Sequence, residues 1–476
     1  MRIQRQHNFL AVVIAVILFA SCHKKDAIAA KLSVSSSEEL FTSGGGTSEV
    51  TVSSNTNWSI NNSISWLTTT ASTSNGNGKI SLSVQSNPTT SERSVVLSVT
   101  TGNISKEIKV RQLGKAISDS VTADATGMSS NAVQLAAKIK LGWNIGNTLE
   151  AIGNETAWGN PKVTKALIDF VKQSGFNAIR IPCSWDQYVQ NISTNEIKAD
   201  WLNRVKEVVQ YCVDDSMYVI LNIHWDDGWL ENNVTTAKQD AVNAKQKAFW
   251  TQIATTLRDF DEHVLFASAN EPNVDDATQM SVLLSYHQTF INAVRSTGGR
   301  NSYRVLVVQG PSTDIDKTNT LMNTLPVDQV ANRMMVEVHY YSPYQFCLMN
   351  EDATWGKMFY YWGNNYHSTT DPSRNANWGE ESYVDNEFKK IKTQFVDKGI
   401  PVVLGEYDAM RRTNLTGDAL TLHLASRAYY LKYVTKQAIA NGMLPFYWDA
   451  GTGVINRQNN SVLDQQALDS LVQGAQ

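Results

Sequence analysis

Two glutamates stand where they could do chemistry. Glu271 lies in Ala269-Asn270-Glu271-Pro272 and Glu406 in Leu404-Gly405-Glu406-Tyr407, each closing a short apolar run. Hydrolysis of a glycosidic bond needs such a pair. One carboxyl, protonated, gives its proton to the leaving oxygen, and the other, ionised, attacks or stabilises the oxocarbenium-like centre. Their environments must then push the two pKa values apart. Other polar residues close similar runs: Arg180 in Ala178-Ile179-Arg180-Ile181-Pro182, His224 in Asn222-Ile223-His224-Trp225, His339 and Tyr341 in Val338-His339-Tyr340-Tyr341, and Trp448 in Phe446-Tyr447-Trp448-Asp449. A lone acid or histidine at such a place is usually solvated or a bonded core residue; several in register are a weightier observation. Arg180 near Glu406 would keep that carboxylate charged, Tyr341 would donate to it, and ionised Glu406 would help keep Glu271 protonated.

These residues need a scaffold that aligns them. Eight apolar runs follow from residue 131 onward: Ile139–Ile145, Ala178–Pro182, Val219–His224, Val264–Asn270, Val305–Gln309, Met335–His339, Val402–Glu406 and Leu444–Trp448. Helical patterns such as Val163–Ser174 and Trp201–Asp214 lie between them, and Gly175, Gly399 and Gly442 suit the left-handed position after a helix. Strand, helix, glycine, strand is the repeating unit of a (β/α)8 TIM barrel, expected here over residues 131–476. Its functional residues collect at the C-terminal strand ends, where Glu271 and Glu406, from strands four and seven, would face each other. A doubly wound sheet fits less well, since no glycine-rich phosphate turn opens a helix.

The pattern resembles glycoside hydrolase family 5, a retaining family on this barrel. The resemblance implies Glu271 as acid/base and Glu406 as nucleophile. It implies that Arg180, His224, Asn270, His339, Tyr341 and Trp448 support them, Asn270 at the sugar 2-hydroxyl and Trp448 as floor of the cleavage subsite. The stretch Gly142-Trp143-Asn144-Ile145-Gly146-Asn147-Thr148-Leu149-Glu150, with His339-Tyr340-Tyr341-Ser342-Pro343-Tyr344, is similar to a subgroup of endo-β-1,4-glucanases rich in xyloglucanases; Asn147 joins the binding residues on that ground. Trp225 stands where the subgroup often has a second histidine, and Ser342 where it often has aspartate, which bears on fine substrate choice. The expected substrate is plant cell-wall β-glucan: xyloglucan, cellulose or mixed-linkage glucan. A β-mannanase on the same fold and a glycan-binding lipoprotein with an inactive barrel are the alternatives. No metal or other cofactor is expected, since Arg180 beside Glu406 disfavours a cation. Trp225 and Trp229 are cleft candidates. Trp355, Trp362 and Trp378 divide evenly between cleft and loop core, and Phe359 and Tyr360 belong to the core. The acid pairs Asp226-Asp227 and Glu380-Glu381 read as solvated or substrate-contacting.

Residues 31–114 differ in texture, rich in Ser, Thr, Asn and Val. Short alternating runs, Val50–Val52, Ile80–Val84, Val95–Val99 and Ile108–Val110, separated by turns such as Asn75-Gly76-Asn77-Gly78, predict an all-β, immunoglobulin-like sandwich with Trp58, Trp66 and Leu67 in its core. The arrangement from Trp58 through Arg93 to Val110-Arg111-Gln112 resembles the BACON domain of Bacteroidetes exported proteins, as spacer or glycan binder. Residues 115–130 read as a polar connector. Arg2, Arg5 and the apolar run Phe9–Ala20 read as an export signal over 1–22, and Leu18-Phe19-Ala20-Ser21-Cys22 resembles a lipobox with Cys22 acylated. That predicts an exported, outer-membrane lipoprotein held by an N-terminal lipid anchor. Cys183, Cys212 and Cys347 are far apart and read as buried thiols. A net charge of −4, from 41 Lys+Arg against 45 Asp+Glu, excludes phosphate attraction as a working principle, so no nucleic-acid partner is expected. The chain is expected to act as a monomer.

Overall fold

The computed structural model describes residues 29–70, 73–89, 92–114 and 121–476. The signal segment and Cys22 lie outside the described residues. The chain forms two compact units, one of residues up to Asn87 with Glu92–Gln112, the other containing Leu113–Gln476.

The first unit is a two-sheet sandwich. One sheet has the order Leu32–Val34, Gly46–Ser54, Gly78–Val84, Leu67–Thr69; the other Glu38–Phe41, Ile104–Gln112, Arg93–Thr101, Asn57–Asn61, Thr73–Asn75. Alternation turns Val50, Val52, Ile80, Leu82, Leu97, Val99, Ile108 and Val110 inward. Trp58 is buried among them, and its indole N–H donates to Gly76 O at 2.8 Å. Leu67 is buried, but Trp66 corrects the expectation for it. It packs only partly against the core, with the Arg93 guanidinium 4.6 Å over its ring.

The second unit is a closed barrel of eight parallel strands in sequence order: Gly142–Ile145, Ala178–Ile181, Tyr218–Asn222, Val264–Ala267, Leu306–Gln309, Met334–Tyr340, Val402–Tyr407 and Met443–Asp449. The eighth closes on the first through Gly142↔Phe446 to Ile145↔Asp449. All eight predicted runs coincide with strands. The first is shorter than expected because Ile139 precedes it and clusters with Leu135, Ile220, Leu265 and Phe446 inside the barrel. The outward set, including Trp143, Ile179, Val219, Phe266, Val308, Val338 and Leu404, packs against the helices. Helix Lys165–Gln173 is capped by Thr164, whose side chain accepts from Leu167 N, and the expected Trp201–Asp214 begins earlier, at Ala199. Gly175, Gly399 and Gly442 have φ of 103°, 80° and 74°, in the left-handed region as expected. Residues 121–130 lie against the barrel: Val121 pairs with Gly298, and Ser130 N and Oγ donate to Glu262 at 2.8 and 2.7 Å.

Two glycines matter for close approach. A Cβ on Gly142 would sit 2.1 Å from the Phe446 ring, so a bare backbone is what lets the ring fill the barrel. At Gly405 the pairing register shifts: Val338 pairs with Leu404, but His339 with Glu406. The extra residue is a bulge, and after outward Leu404 it turns Glu406 to the lumen instead of the helix layer. We predict that Gly142→Ala lowers unfolding stability by about 1–3 kcal/mol, as overpacking does. Denaturant melts check it. Gly142→Ala/Phe446→Leu should recover part of the loss, and a wild-type midpoint for the single variant would contradict the tight contact.

Candidate active site

Alternation within the strands builds the site in layers. Above the apolar floor come the inward polar residues Asn144, Arg180, Gln309 and Glu337, from strands one, two, five and six. Above them lie Asn270, Glu271, His339, Tyr341 and Glu406.

Arg180 is wholly buried and organises this assembly. Its Nη1 donates to Glu406 Oε1 at 2.8 Å and to Asn144 Oδ1 at 3.0 Å, and its Nη2 to Asn270 Oδ1 at 2.8 Å. Its Nε lies 2.9 Å from Glu337 Oε1 as an ion pair, without the alignment of a hydrogen bond. Tyr341 Oη donates to Glu406 Oε2 at 2.9 Å. His339 Nδ1 stands 2.7 Å from Glu271 Oε1 and 3.7 Å from Glu406 Oε2, and its Nε2 stands 3.2 Å from Glu337 Oε1. Ligand atoms of Glu271, His339 and Glu406 all lie within 4.8 Å of one another. A cation could bridge three such groups, but the Arg180 guanidinium already occupies the cationic place beside Glu406. The Glu271 side chain is 43% exposed and that of Glu406 only 7%. One carboxyl therefore meets solvent while the other is sunk among donors.

The charges follow from these contacts. Burial works against a charge on His339, but Glu406, Glu271 and Glu337 outweigh it and push the imidazole up to about 10. Burial works to raise Glu271, yet the bond to His339 prevails and holds that carboxyl below its ordinary value. This corrects the expectation that Glu271 carries the proton in the free protein: the proton sits on His339, one 2.7 Å contact away. Burial raises Glu406, His339 and Arg180 pull it down, Glu271 pushes it up, and Tyr341 pulls it down, with a net rise. Only donors face its two oxygens, so the anion is the form they hold. His224 is driven the other way, by burial and then by Arg180 and His339, and is neutral.

The remaining expected residues surround this network. His224 stacks on Trp448 with centroids 5.6 Å apart and rings 12° from parallel. Trp225 is exposed at the rim and Trp229 is half-buried. Asn147 stands apart from the network: its N–H donates to Glu150 and its carbonyl accepts from Asn160. Trp362, Phe359 and Tyr360 are buried in the loop core, while Trp355 and Trp378 are exposed. Asp226 corrects its expectation. It is buried and accepts from the Trp185 and Asp186 amides and from Trp229 Nε1, all at 2.9 Å. Glu380 accepts from Gly363 N at 2.8 Å and bonds His367 at 2.7 Å, so it too ties a loop. Cys183, Cys212 and Cys347 are buried free thiols. A cavity of about 220 Å3 opens beside Glu271, lined by Thr313, Asp314, His339, Tyr341, Tyr344 and Tyr383.

Several site residues escaped the sequence reading. Glu337 and Asn144 sit in apolar strands at the inward phase, Glu337 two residues before His339, and strand period alone marks them. Glu231 gave no such signal: it is brought from a distant loop to accept from Glu271 N at 2.9 Å. The folded pKa of His339 lies above its free value of 6.5, so its contacts stabilise the fold fully below that value, and this contribution is lost as pH rises toward 10. We predict that imidazole NMR finds His339 protonated through neutral pH, and that Glu271→Gln lowers its midpoint by about one unit or more. A wild-type midpoint near 6.5 would contradict the network.

Comparison with known proteins agrees with this geometry. Residues 144–453 match the family model described as cellulase (glycosyl hydrolase family 5), and residues 56–113 match BACON, described as a putative binding domain. The chain is 34% identical to a xyloglucan-specific endo-β-1,4-glucanase of Bacteroides ovatus over 467 residues, 92% of this chain and 90% of that protein. It is 34% identical to endoglucanase A of Paenibacillus barcinonensis over 75% of this chain and 94% of that one. The solved Bacteroides ovatus xyloglucanase, in complex with a XXXG heptasaccharide, superposes with a TM-score of 0.75 at 32% identity, covering 94% of this chain and all of that one. A xyloglucan-specific β-1,4-glucanase from a ruminal metagenomic library gives 0.67 at 39% identity, over 73% of this chain and 96% of that one. With its parallel barrel and these matches, the chain belongs to glycoside hydrolase family 5.

Proposed function

We propose that this protein hydrolyses β-1,4-glucan backbones, xyloglucan foremost, by double displacement with Glu406 as nucleophile and Glu271 as acid/base. The observation that carries this is the placing of the two carboxylates. An oxygen of one comes within 4.8 Å of an oxygen of the other, which supports retention, with carboxyl groups about 5–5.5 Å apart, over inversion, with groups about 6.5–9.5 Å apart around a water. In the first step a Glu406 oxygen attacks the anomeric carbon as its bond to the leaving oxygen breaks, and the Glu271 carboxyl gives that oxygen a proton. The His339–Glu271 pair holds that proton, and moving it along their 2.7 Å contact loads Glu271. In the second step Glu271 takes a proton from water, the water oxygen bonds to the anomeric carbon, and the ester to Glu406 breaks.

Arg180 and Tyr341 aim and hold the Glu406 oxygens. Asn270, whose Oδ1 is fixed by Arg180, turns its amide N–H groups to the sugar 2-hydroxyl. Trp448, braced by His224, floors the cleavage subsite, and exposed Trp225 extends it at the rim. Xyloglucan is favoured by the relative matched over most of this chain, the Bacteroides ovatus enzyme, which is named for it. Export and a lipid anchor at Cys22 remain part of the proposal, carried by the sequence of the first 22 residues.

Glu271→Gln and Glu406→Gln should each cut hydrolysis of polymeric β-glucans by about three orders of magnitude or more while leaving glycan binding. Azide should rescue Glu406→Gly and yield an α-glycosyl azide. Near wild-type turnover in either glutamine variant, or a β-azide, would overturn the roles. Product profiles on xyloglucan, carboxymethylcellulose, lichenan and glucomannan test the substrate: xyloglucan should be cut fastest, and faster cleavage of glucomannan would favour the mannanase reading. A wild-type pH profile should fall on the acid side as Glu406 protonates and on the alkaline side as the His339–Glu271 pair loses its proton.

A further inference from the structure

A third carboxylate lies beneath the two glutamates. Glu337 is wholly enclosed. Its Oε1 is 2.9 Å from Arg180 Nε and 3.2 Å from His339 Nε2, and its Oε2 accepts from Gln309 Nε2 at 2.7 Å. It also presses on the bulge that aims Glu406, since a Cβ on Gly405 would lie 2.0 Å from Oε1. One buried group thus touches the guanidinium that holds Glu406, the imidazole that holds Glu271 and the backbone that turns Glu406 inward.

We propose that Glu337 is a positioning residue for both halves of the reaction, fixing Arg180 and His339 and, through its negative charge, keeping one proton resident on the His339–Glu271 pair. The inference rests on the roles proposed for Glu271 and Glu406. A carboxylate needed only to balance Arg180 would be redundant, because Glu406 already does so at 2.8 Å. Charge counting shows what the extra anion does. Arg180 and protonated His339 face Glu271, Glu337 and Glu406, two positive charges against three negative, and a net negative cluster retains its proton. Without Glu337 the same cluster is neutral, and the proton leaves at lower pH. The other ionisable groups packed around it do not supply this charge. His224 is neutral, Tyr341 is a hydroxyl donating to Glu406, and Glu231 is spent on the Glu271 amide, its own carboxyl pushed up to about 7 by burial.

The test is the pH dependence of kcat/KM for Glu337→Gln on polymeric β-glucan and on 2,4-dinitrophenyl β-cellobioside. Removing the charge should move both limbs acidward by about one unit. Dinitrophenolate departs without a proton, so at and above about pH 10, where the alkaline limb falls, the loss on polymer should exceed the loss on the aryl glycoside by about fivefold to tenfold. Glu337→Asp, which keeps the charge, should restore the position of the limbs even where turnover stays low. Gln309→Met, which strips the donor from Oε2 and leaves the charge less compensated, should move the alkaline limb upward; it decides the matter if Glu337→Gln does not fold. Limbs that superpose on the wild type in Glu337→Gln, equal losses on both substrates, or an unmoved limb in Gln309→Met would each overturn the proposal. A wild-type protein that cleaves neither substrate would instead overturn the proposed function.

Discussion

A guanidinium sealed inside the barrel is the constraint from which the site is built. Taking an ion such as Arg180 out of water costs several kcal/mol, and only full pairing offsets it. The pairing comes from four strands or strand ends at once: Asn144 from the first, Asn270 beyond the fourth, Glu337 from the sixth and Glu406 from the seventh. Removing one partner of such a buried pair costs about 3–5 kcal/mol, because a bare charge remains. The same contacts aim Glu406 and orient Asn270. Fold stability and site geometry are therefore one interaction, and the site is rigid because the barrel cannot tolerate an unpaired Arg180.

Around this centre the rim loops are held in conformations that they would not adopt alone. Asn147, Trp225, Asp226, Asp227, Ser312 and Thr313 all have φ between 47° and 61° without being glycine. Such backbone costs energy and persists where the surroundings fix it, commonly at functional sites. The fixing groups are buried carboxylates: Glu150 accepts from the amides of Asn147 and Thr148, and Asp226 from those of Trp185 and Asp186. These acids serve as backbone anchors, and the strained run they hold leaves Trp225 exposed at the rim.

The barrel, its rim residues and the core of the sandwich were legible in the sequence because each rests on a local period. Eight apolar runs, six of them carrying candidate functional residues at or near their ends, need no tertiary knowledge to be read as barrel strands with functional ends. What was not legible depends on contacts between distant segments. Trp66 reads like Trp58, and only the packing shows that one lies under an arginine and the other in the core. Asp226-Asp227 reads as a solvated pair, and only the fold delivers Trp185 and Asp186 to the first of them. Glu337 falls between these cases. Its inward phase, two residues before His339, was available, but a single acid in an apolar strand carries no role until Arg180 and His339 are seen on either side. The proton on His339 was invisible for the same reason, since it depends on three carboxylates from three parts of the chain.

The placement of that proton also accounts for one carboxyl being buried and the other half-exposed. As Glu406 becomes an ester it loses one negative charge, and as the leaving oxygen departs the cluster loses one proton. The enclosed charge is then the same before and after glycosylation. Burying Glu406 costs little along the reaction coordinate because no net charge has to be created or destroyed in the closed interior. Glu271 has a different task. It must touch the leaving oxygen in one step and water in the next, so its carboxyl faces outward, tied back by His339, by the Thr313 hydroxyl at 3.4 Å and by Glu231 at its amide. With His339 neutral and Glu406 esterified, Arg180 and Glu337 cancel, and Glu271 is left as an anion without a neighbouring cation of its own, the state in which a carboxylate takes a proton from water most readily.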